Sequence, residues 1–412
     1  MKFKIFKVLF SSTFFLFFSG CATTSDLIDN GIWNFELQRE DGTPINFQVE
    51  AVDSAGMNLL YLVNAEEKIL VDNIRQEGDS ILVELPFFNS SFRIKKQSGN
   101  LEGLWIKDLG TRDQVMPFTA TKSQERFEAK ENPAFDISGR WETVFTQNDG
   151  REIPAIGEFY QTGTYLKGTF LLPSGDYRYL QGIVSGDSLK LSTFNGNAAY
   201  YFTARIENDS TLIGGKFYSG PTGLQTWEAL KNETASLEGK KAGTALNPGQ
   251  YSINFSFPST EGEMISLSDE RFRNKVVIVQ IMGSWCPNCM DETAFLSDYY
   301  NKNKDRGLEI IALAYERTAD FNTSVKSVSS FQKRFNINYP VLITGVAVSD
   351  SLRTEKTLPQ LNKISYFPTT IFIDKKGIVR KIHEGFTGPG TGEHYLKYIK
   401  EFDELVNKML EE

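Results

Sequence analysis

Cys286 and Cys289 flank Pro287 and Asn288, and they are two of the three cysteines in a chain of 412 residues. A pair at this spacing closes a disulfide across one helical turn and reopens it by thiol exchange. The flanking sequence sets the geometry. The apolar run 276–282 leads in, and residues of helical spacing lead out to about Arg306, where Gly307 stops the helix. Pro287 suits the first turn, where its missing N–H would have no partner. Cys286 then falls at the helix N-terminus, where orphan N–H groups and the macrodipole favour negative charge. That makes Cys286 the expected nucleophile toward a disulfide and Cys289, one turn inward, the expected resolving thiol. Trp285 is expected to pack beside the pair and limit solvent.

A lone C-x-x-C also holds zinc when two further ligands converge on it. His383 and His394 are the two histidines, both far along the chain, and no second such motif exists, so no metal is expected.

The elements around the motif alternate between strands and helices. Residues 308–314 read as a second buried strand, 324–335 as a helix, 339–343 as extended chain and 358–364 as a brief helix. Residues 369–374 and 378–382 form a hairpin about Lys375-Lys376-Gly377, and 392–410 close the chain as an amphipathic helix. This order predicts a mixed central sheet with flanking helices.

Trp285-Cys286-Pro287-Asn288-Cys289 after an apolar strand, with Phe367-Pro368-Thr369-Thr370 further on, resembles thioredoxin. More narrowly, residues 250–412 are similar to the TlpA/ResA-like, AhpC/TSA-related, extracytoplasmic thiol-disulfide oxidoreductases. These carry an additional helix and strand before the proline, and residues 324–343 match that insertion. The resemblance implies an α/β thioredoxin fold and a cis bond before Pro368, with Phe367 presenting its backbone to the substrate. It further implies a redox-active Cys286–Cys289 disulfide without cofactor, protein disulfide substrates reduced rather than oxidised, and a membrane thiol as electron donor. A peroxiredoxin reading is weak, because its nucleophile needs no partner three residues on.

One position departs from thioredoxin, which has a buried acid six residues before the first cysteine. Here that place is Gln280, and a neutral amide cannot take the proton of Cys289. Glu292 lies three residues after Cys289 on its side of the helix, and ResA-like members carry a glutamate there. Glu292, with a pKa raised by burial, is the expected general acid/base; the alternative is an exposed first-turn glutamate favoured by the helix dipole.

Residues 30–231 have another rhythm, alternating apolar and polar residues broken by Gly, Asn and Asp. The pattern repeats: Gly139-Arg140-Trp141 follows Gly31-Ile32-Trp33, and Gly186-Asp187-Ser188-Leu189 follows Gly78-Asp79-Ser80-Ile81, at one common offset. Two all-β antiparallel modules, 30–120 and 135–231, are expected, each a barrel or sandwich of six to eight strands. Tyr160, Tyr165, Tyr177, Tyr179, Tyr200 and Tyr201 line a binding face or pack as core. Residues 232–249 read as a linker.

Lys2, Lys4 and Lys7 precede a short apolar run that ends Ser19-Gly20-Cys21, the layout of a signal peptide over 1–20. Small residues before a cysteine resemble a bacterial lipobox, with Cys21 lipidated and 21–29 as tether, although Phe18 stands where Leu is usual. An ordinary secretory signal is the alternative. The net charge of −8 speaks against a nucleic-acid partner. The functional expectation is a periplasm-facing envelope lipoprotein that reduces protein disulfides. The competing one is an envelope binding lipoprotein whose β modules capture a ligand, with the thioredoxin fold as accessory.

Overall fold

The computed structural model describes residues 27–412 other than 55, 87–88, 111 and 238–242. The expected leader 1–20 and the lipidation at Cys21 lie outside the described residues.

Alternating residues fold the N-terminal half into two antiparallel sheets, each of nine strands rather than six to eight. Asp72 splits residues 67–77 into Glu67–Val71 and Asn73–Glu77 where the alternation ran on, and Gly175–Asp176 is too short to leave a pattern. In the first sheet Gly31–Gln38 pairs with Asp113–Lys122, bringing its first and last strands together. It stays open between Glu67–Val71 and Asn73–Glu77. The second closes into a barrel, because Glu152–Thr162 pairs with both Gly139–Thr146 and Tyr165–Leu172.

The repeated tryptophans are equivalent in detail. Trp33 Nε1 donates to Asp29 O and Trp141 Nε1 to Ile137 O, each at 2.9 Å. Each indole is buried and carries a lysine over its ring, Lys122 and Lys231. Each of these two indole N–H groups is thus satisfied locally, unlike those of the buried Trp105 and Trp227. The two sheets also share a core: Phe194 of the second stacks on Phe47 of the first with centroids 4.1 Å apart and meets Trp105 edge-on at 5.1 Å.

The C-terminal part is a five-stranded sheet in the order Val341–Ile343, Leu308–Ala314, Val276–Met282, Thr369–Ile373, Val379–Glu384. The first three strands are parallel, Thr369–Ile373 runs antiparallel to the central strand, and Val379–Glu384 reverses again beside it. Val276–Met282 is central and buried throughout, as its unbroken apolar run requires. Its residues alternate between two cores. Val276, Ile278 and Met282 face the helices Pro287–Asn303, Phe321–Arg334 and Glu393–Glu411. Val277, Val279 and Ile281 face Phe255, Phe272 and Leu358. This is the thioredoxin fold with the additional helix and strand.

One further expectation is corrected. The brief helix spans Arg353–Thr357, not 358–364. Leu358, Leu361 and Ile364 mimic helical spacing, but Pro359 lacks an N–H and the three side chains lie on the sheet while Leu361 bridges Leu246. The described end of the 232–249 segment is also tied down: Thr244 N donates to Glu384 Oε1 at 2.7 Å and Asn247 Nδ2 to Pro359 O at 3.0 Å.

Candidate active site

The central strand delivers Gly283, Ser284 and Trp285 to the top of the sheet, and the helix starts at once. Gly283 is needed there, since a Cβ would lie 2.2 Å from the Trp285 indole nitrogen. Cys286 is the N-cap, with extended backbone, and Pro287 is the first helical residue. The Cys289 N–H points at Cys286 Sγ at 3.3 Å, so an orphan helix donor addresses the sulfur directly. From the other side the Cys286 thiol donates to Phe367 O at 3.5 Å. The Phe367–Pro368 bond is cis, as the resemblance implied. Trp285 is fixed by a 2.8 Å bond from Nε1 to Tyr315 O and by an edge contact with Phe367 at 5.5 Å.

Cys289 is fully buried, and burial first, then its hydrogen bond and the charge of Cys286, hold its thiol well above the usual range. The charge of Glu292 adds to the same shift. Glu292 is 0% exposed, not a surface glutamate. Gln280 Nε2 donates to its Oε2 at 2.9 Å, Thr370 Oγ1 donates to Oε1, and Tyr398 OH reaches Oε1 at 3.5 Å. Burial pushes Glu292 up to about 7, with these three donors pulling the other way. A carboxyl poised near neutrality behind a buried thiol is able to accept its proton and return it. Gln280, which stands where an acid was expected from thioredoxin, holds that carboxyl from the strand.

Sequence reasoning missed several neighbours. Ser284 donates to Glu316 twice, N to Oε1 at 2.8 Å and Oγ to Oε2 at 2.7 Å, which pins the loop before Trp285. On the far side of the motif, the second sheet docks. Asn288 meets the backbone of Asp176, donating to its O and accepting from its N at 3.2 Å each. Gly175 has φ +141, and a Cβ there would sit 1.9 Å from the Asn288 side-chain amide, so the contact is backbone to side chain. Asp176 Oδ2 accepts from Gly388 N at 2.7 Å. Arg178, buried, bridges Asp291 of the motif helix and Glu67 of the first sheet. Burial opposes its charge, and the two carboxylates outweigh burial, so its pKa is raised. These partners stand more than a hundred residues apart, beyond any local pattern.

The tyrosines divide between the two readings. Tyr160 is exposed and Tyr201 stacks on Tyr218 at the junction of the sheets, whereas Tyr177 and Tyr200 face the motif beside Cys286. Among the described residues no group of three or more His, Cys, Asp and Glu is placed to hold a metal, and His394 instead meets Glu158 at 2.8 Å.

The AhpC/TSA family model matches residues 248–382. The thiol-disulfide oxidoreductase ResA of Bacillus thuringiensis subsp. konkukian is 30% identical over 152 residues, which cover 37% of this chain and 76% of that protein. ResA of Bacillus subtilis is 28% identical over 156 residues, 38% of this chain and 78% of that protein. A solved thioredoxin-family thiol:disulfide interchange protein of Chlorobium tepidum aligns at 22% identity and a TM-score of 0.29, over 40% of this chain and 99% of that one. The 30% identity to ResA over 76% of that protein, with the cysteine pair at its helix corner, makes the chain a member of the ResA family of thiol-disulfide oxidoreductases.

Proposed function

We propose that the protein is an extracytoplasmic reductase of protein disulfides, held at the membrane through Cys21. The observation that carries the chemistry is the pairing of Cys286, capped by the Cys289 N–H, with a buried Cys289 and Glu292 behind it. The Cys286 thiolate attacks one sulfur of the substrate; the S–S bond breaks and the leaving sulfur departs as a thiolate that takes up a proton. Cys289 passes its proton to Glu292 and attacks Cys286, so the mixed disulfide breaks and the second substrate thiol leaves. Two electrons have moved to the substrate, and the protein holds a Cys286–Cys289 disulfide that a membrane thiol donor reduces. Phe367 and Pro368 flank the sulfur and present backbone to the incoming chain, while Trp285 and Pro287 shape its rim.

Anchoring is supported by the basic residues, apolar run and Ser19-Gly20-Cys21 of the leader. No helix among the described residues is long and apolar enough to cross a membrane. Acyl chains would supply about 0.8 kcal/mol per buried CH₂.

The test is insulin-disulfide reduction with Cys286→Ser, together with the reduction potential of the pair. Loss of turnover and a potential near roughly −270 mV support the reductase, whereas one near about −120 mV makes the protein an oxidant. Palmitate labelling that survives Cys21→Ala removes the anchor from the reading.

A further inference from the structure

The docked second sheet leaves Cys286 only 5% exposed. The sulfur's residue lines a cavity of about 180 Å³ whose other walls include Tyr177, Thr193 and Tyr200. Tyr200, Ala198 and Pro287 also line a second cleft of about 730 Å³, which runs between the two sheets and the face of Trp285. The two spaces share these three residues as walls, with Cys286 on the smaller one.

The inner wall of that cleft carries two cations. Lys107 is 7% exposed, and its ammonium donates to Asn197 O at 2.9 Å. Arg317 lies over the Trp285 ring at 5.6 Å. Neither forms an ion pair with a carboxylate among the described residues. Glu40 and Asp113 also line the cleft, but both are exposed at its rim beside Arg112. Burial in this wall is costly to both charges; the neighbouring Glu316 carboxylate offsets part of that cost for Arg317, whereas Lys107 has the Asn197 carbonyl. Burial, and then the charge of Arg317, pushes Lys107 down to about 7, a strain that an anion relieves.

Size narrows the ligand further. A folded-protein surface contributes about 800 Å² to a stable interface, and it cannot bring that area to a sulfur behind this opening. The cavity at Cys286 is smaller than the roughly 300–1,000 Å³ of a drug-sized site, whereas the cleft beside it falls within that range. An extended chain of a few residues, or a small disulfide, passes both constraints.

We propose that the cleft is a substrate site for a carboxylate-bearing disulfide, its carboxylate meeting Lys107 and Arg317 while its sulfur reaches Cys286 past Tyr200. The chemistry rests on the reductase reading; the binding does not. The test is therefore a binding measurement on the full chain. Fluorescence anisotropy compares two heptapeptides with a central S-methylcysteine, one flanked by Glu and the other by Lys. The Glu peptide binds at least tenfold tighter, and Lys107→Gln or Arg317→Gln narrows the ratio to threefold or less. Equal affinities in the wild-type protein overturn the proposal, whether or not the variants fold. Displacement of the Glu peptide by glutathione disulfide identifies a small anionic disulfide as the occupant, and no displacement identifies a peptide segment. Turnover of neutral hydroxyethyl disulfide is followed separately: its absence strikes the reductase reading and leaves the affinity ratio to decide this one.

Discussion

Gln280 and Glu292 face each other across the strand and the motif helix, amide to carboxylate at 2.9 Å, with no water-accessible surface on either. The strand therefore supplies no acid of its own; it positions one that the helix brings.

The first prediction concerns pH. The folded pKa of Glu292 is about 7 against an ordinary glutamate value of 4.5. Between these values the native state holds a proton that the unfolded chain releases, so stability falls as pH rises. The contribution is fully present below 4.5 and is lost on passing through about 7, in all about 3 kcal/mol. Urea unfolding at pH 5 and pH 8 measures it: the wild-type protein loses this much relative to Glu292→Gln, which cannot titrate. Parallel pH dependences in the two proteins would contradict the assignment.

Kinetics give a second, independent reading of the same residue. The resolving step, seen as release of the second substrate thiol in stopped flow, follows a group titrating near 7. In Glu292→Gln that limb disappears and the step slows by roughly 10²–10⁴, the usual worth of a positioned acid/base. An unchanged profile would return Glu292 to a purely structural role.

Arg178 is the joint between the three folded parts. Arg178→Gln leaves Asp291 and Glu67 without their shared counter-ion, and breaking a buried pair in this way costs about 3–5 kcal/mol. Denaturant unfolding measures the loss. Limited proteolysis in the native state should open first in residues 243–249, where the chain crosses to the redox unit. A loss below about 1 kcal/mol would mean the joint is solvated in solution.

Gly175→Ala tests the dock on the motif. Its Cβ would collide with Asn288, and φ +141 is already foreign to alanine. Alkylation of Cys286 by iodoacetamide should accelerate about tenfold or more as the second sheet lifts. Gly243→Ala, with nothing within 4 Å of the new methyl, is the control and should alkylate at the wild-type rate.

Phe194→Ala should destabilise both sheets together, although the residue belongs to the second. Its ring fills the first core against Phe47 and Trp105, and removing such a ring costs about 3–5 kcal/mol. A single cooperative transition shifted to lower urea is expected, followed by tryptophan fluorescence. Two separated transitions in the wild-type protein would show that the shared core does not couple the sheets.

Legibility in the sequence tracked how local the deciding physics was. The strand at 276–282 could be read because a run buried on both faces needs no partner to announce itself. Cys286 at the helix corner could be read because Pro287 marks the first turn. The exposed or buried state of Glu292 could not, since it depends on Gln280, Thr370 and Tyr398 closing around it from three other elements. The contact of Asn288 could not be read either, since its amide is engaged by the backbone of Asp176 on the second sheet. Leu358, Leu361 and Ile364 carried a helical period for a different reason, as pegs of a non-helical segment laid on the sheet. In each miss the partner lay on an element distant in sequence, and side-chain spacing holds no information about it.

The recess around Cys286 has a consequence for traffic. Cys289 is fully enclosed, so each electron pair passes through the one slightly exposed sulfur. The oxidant and the reductant that serve this protein must then call at the same doorway by turns, never together. Steady-state kinetics with both varied should give parallel double-reciprocal lines, and an excess of either visitor should slow the other.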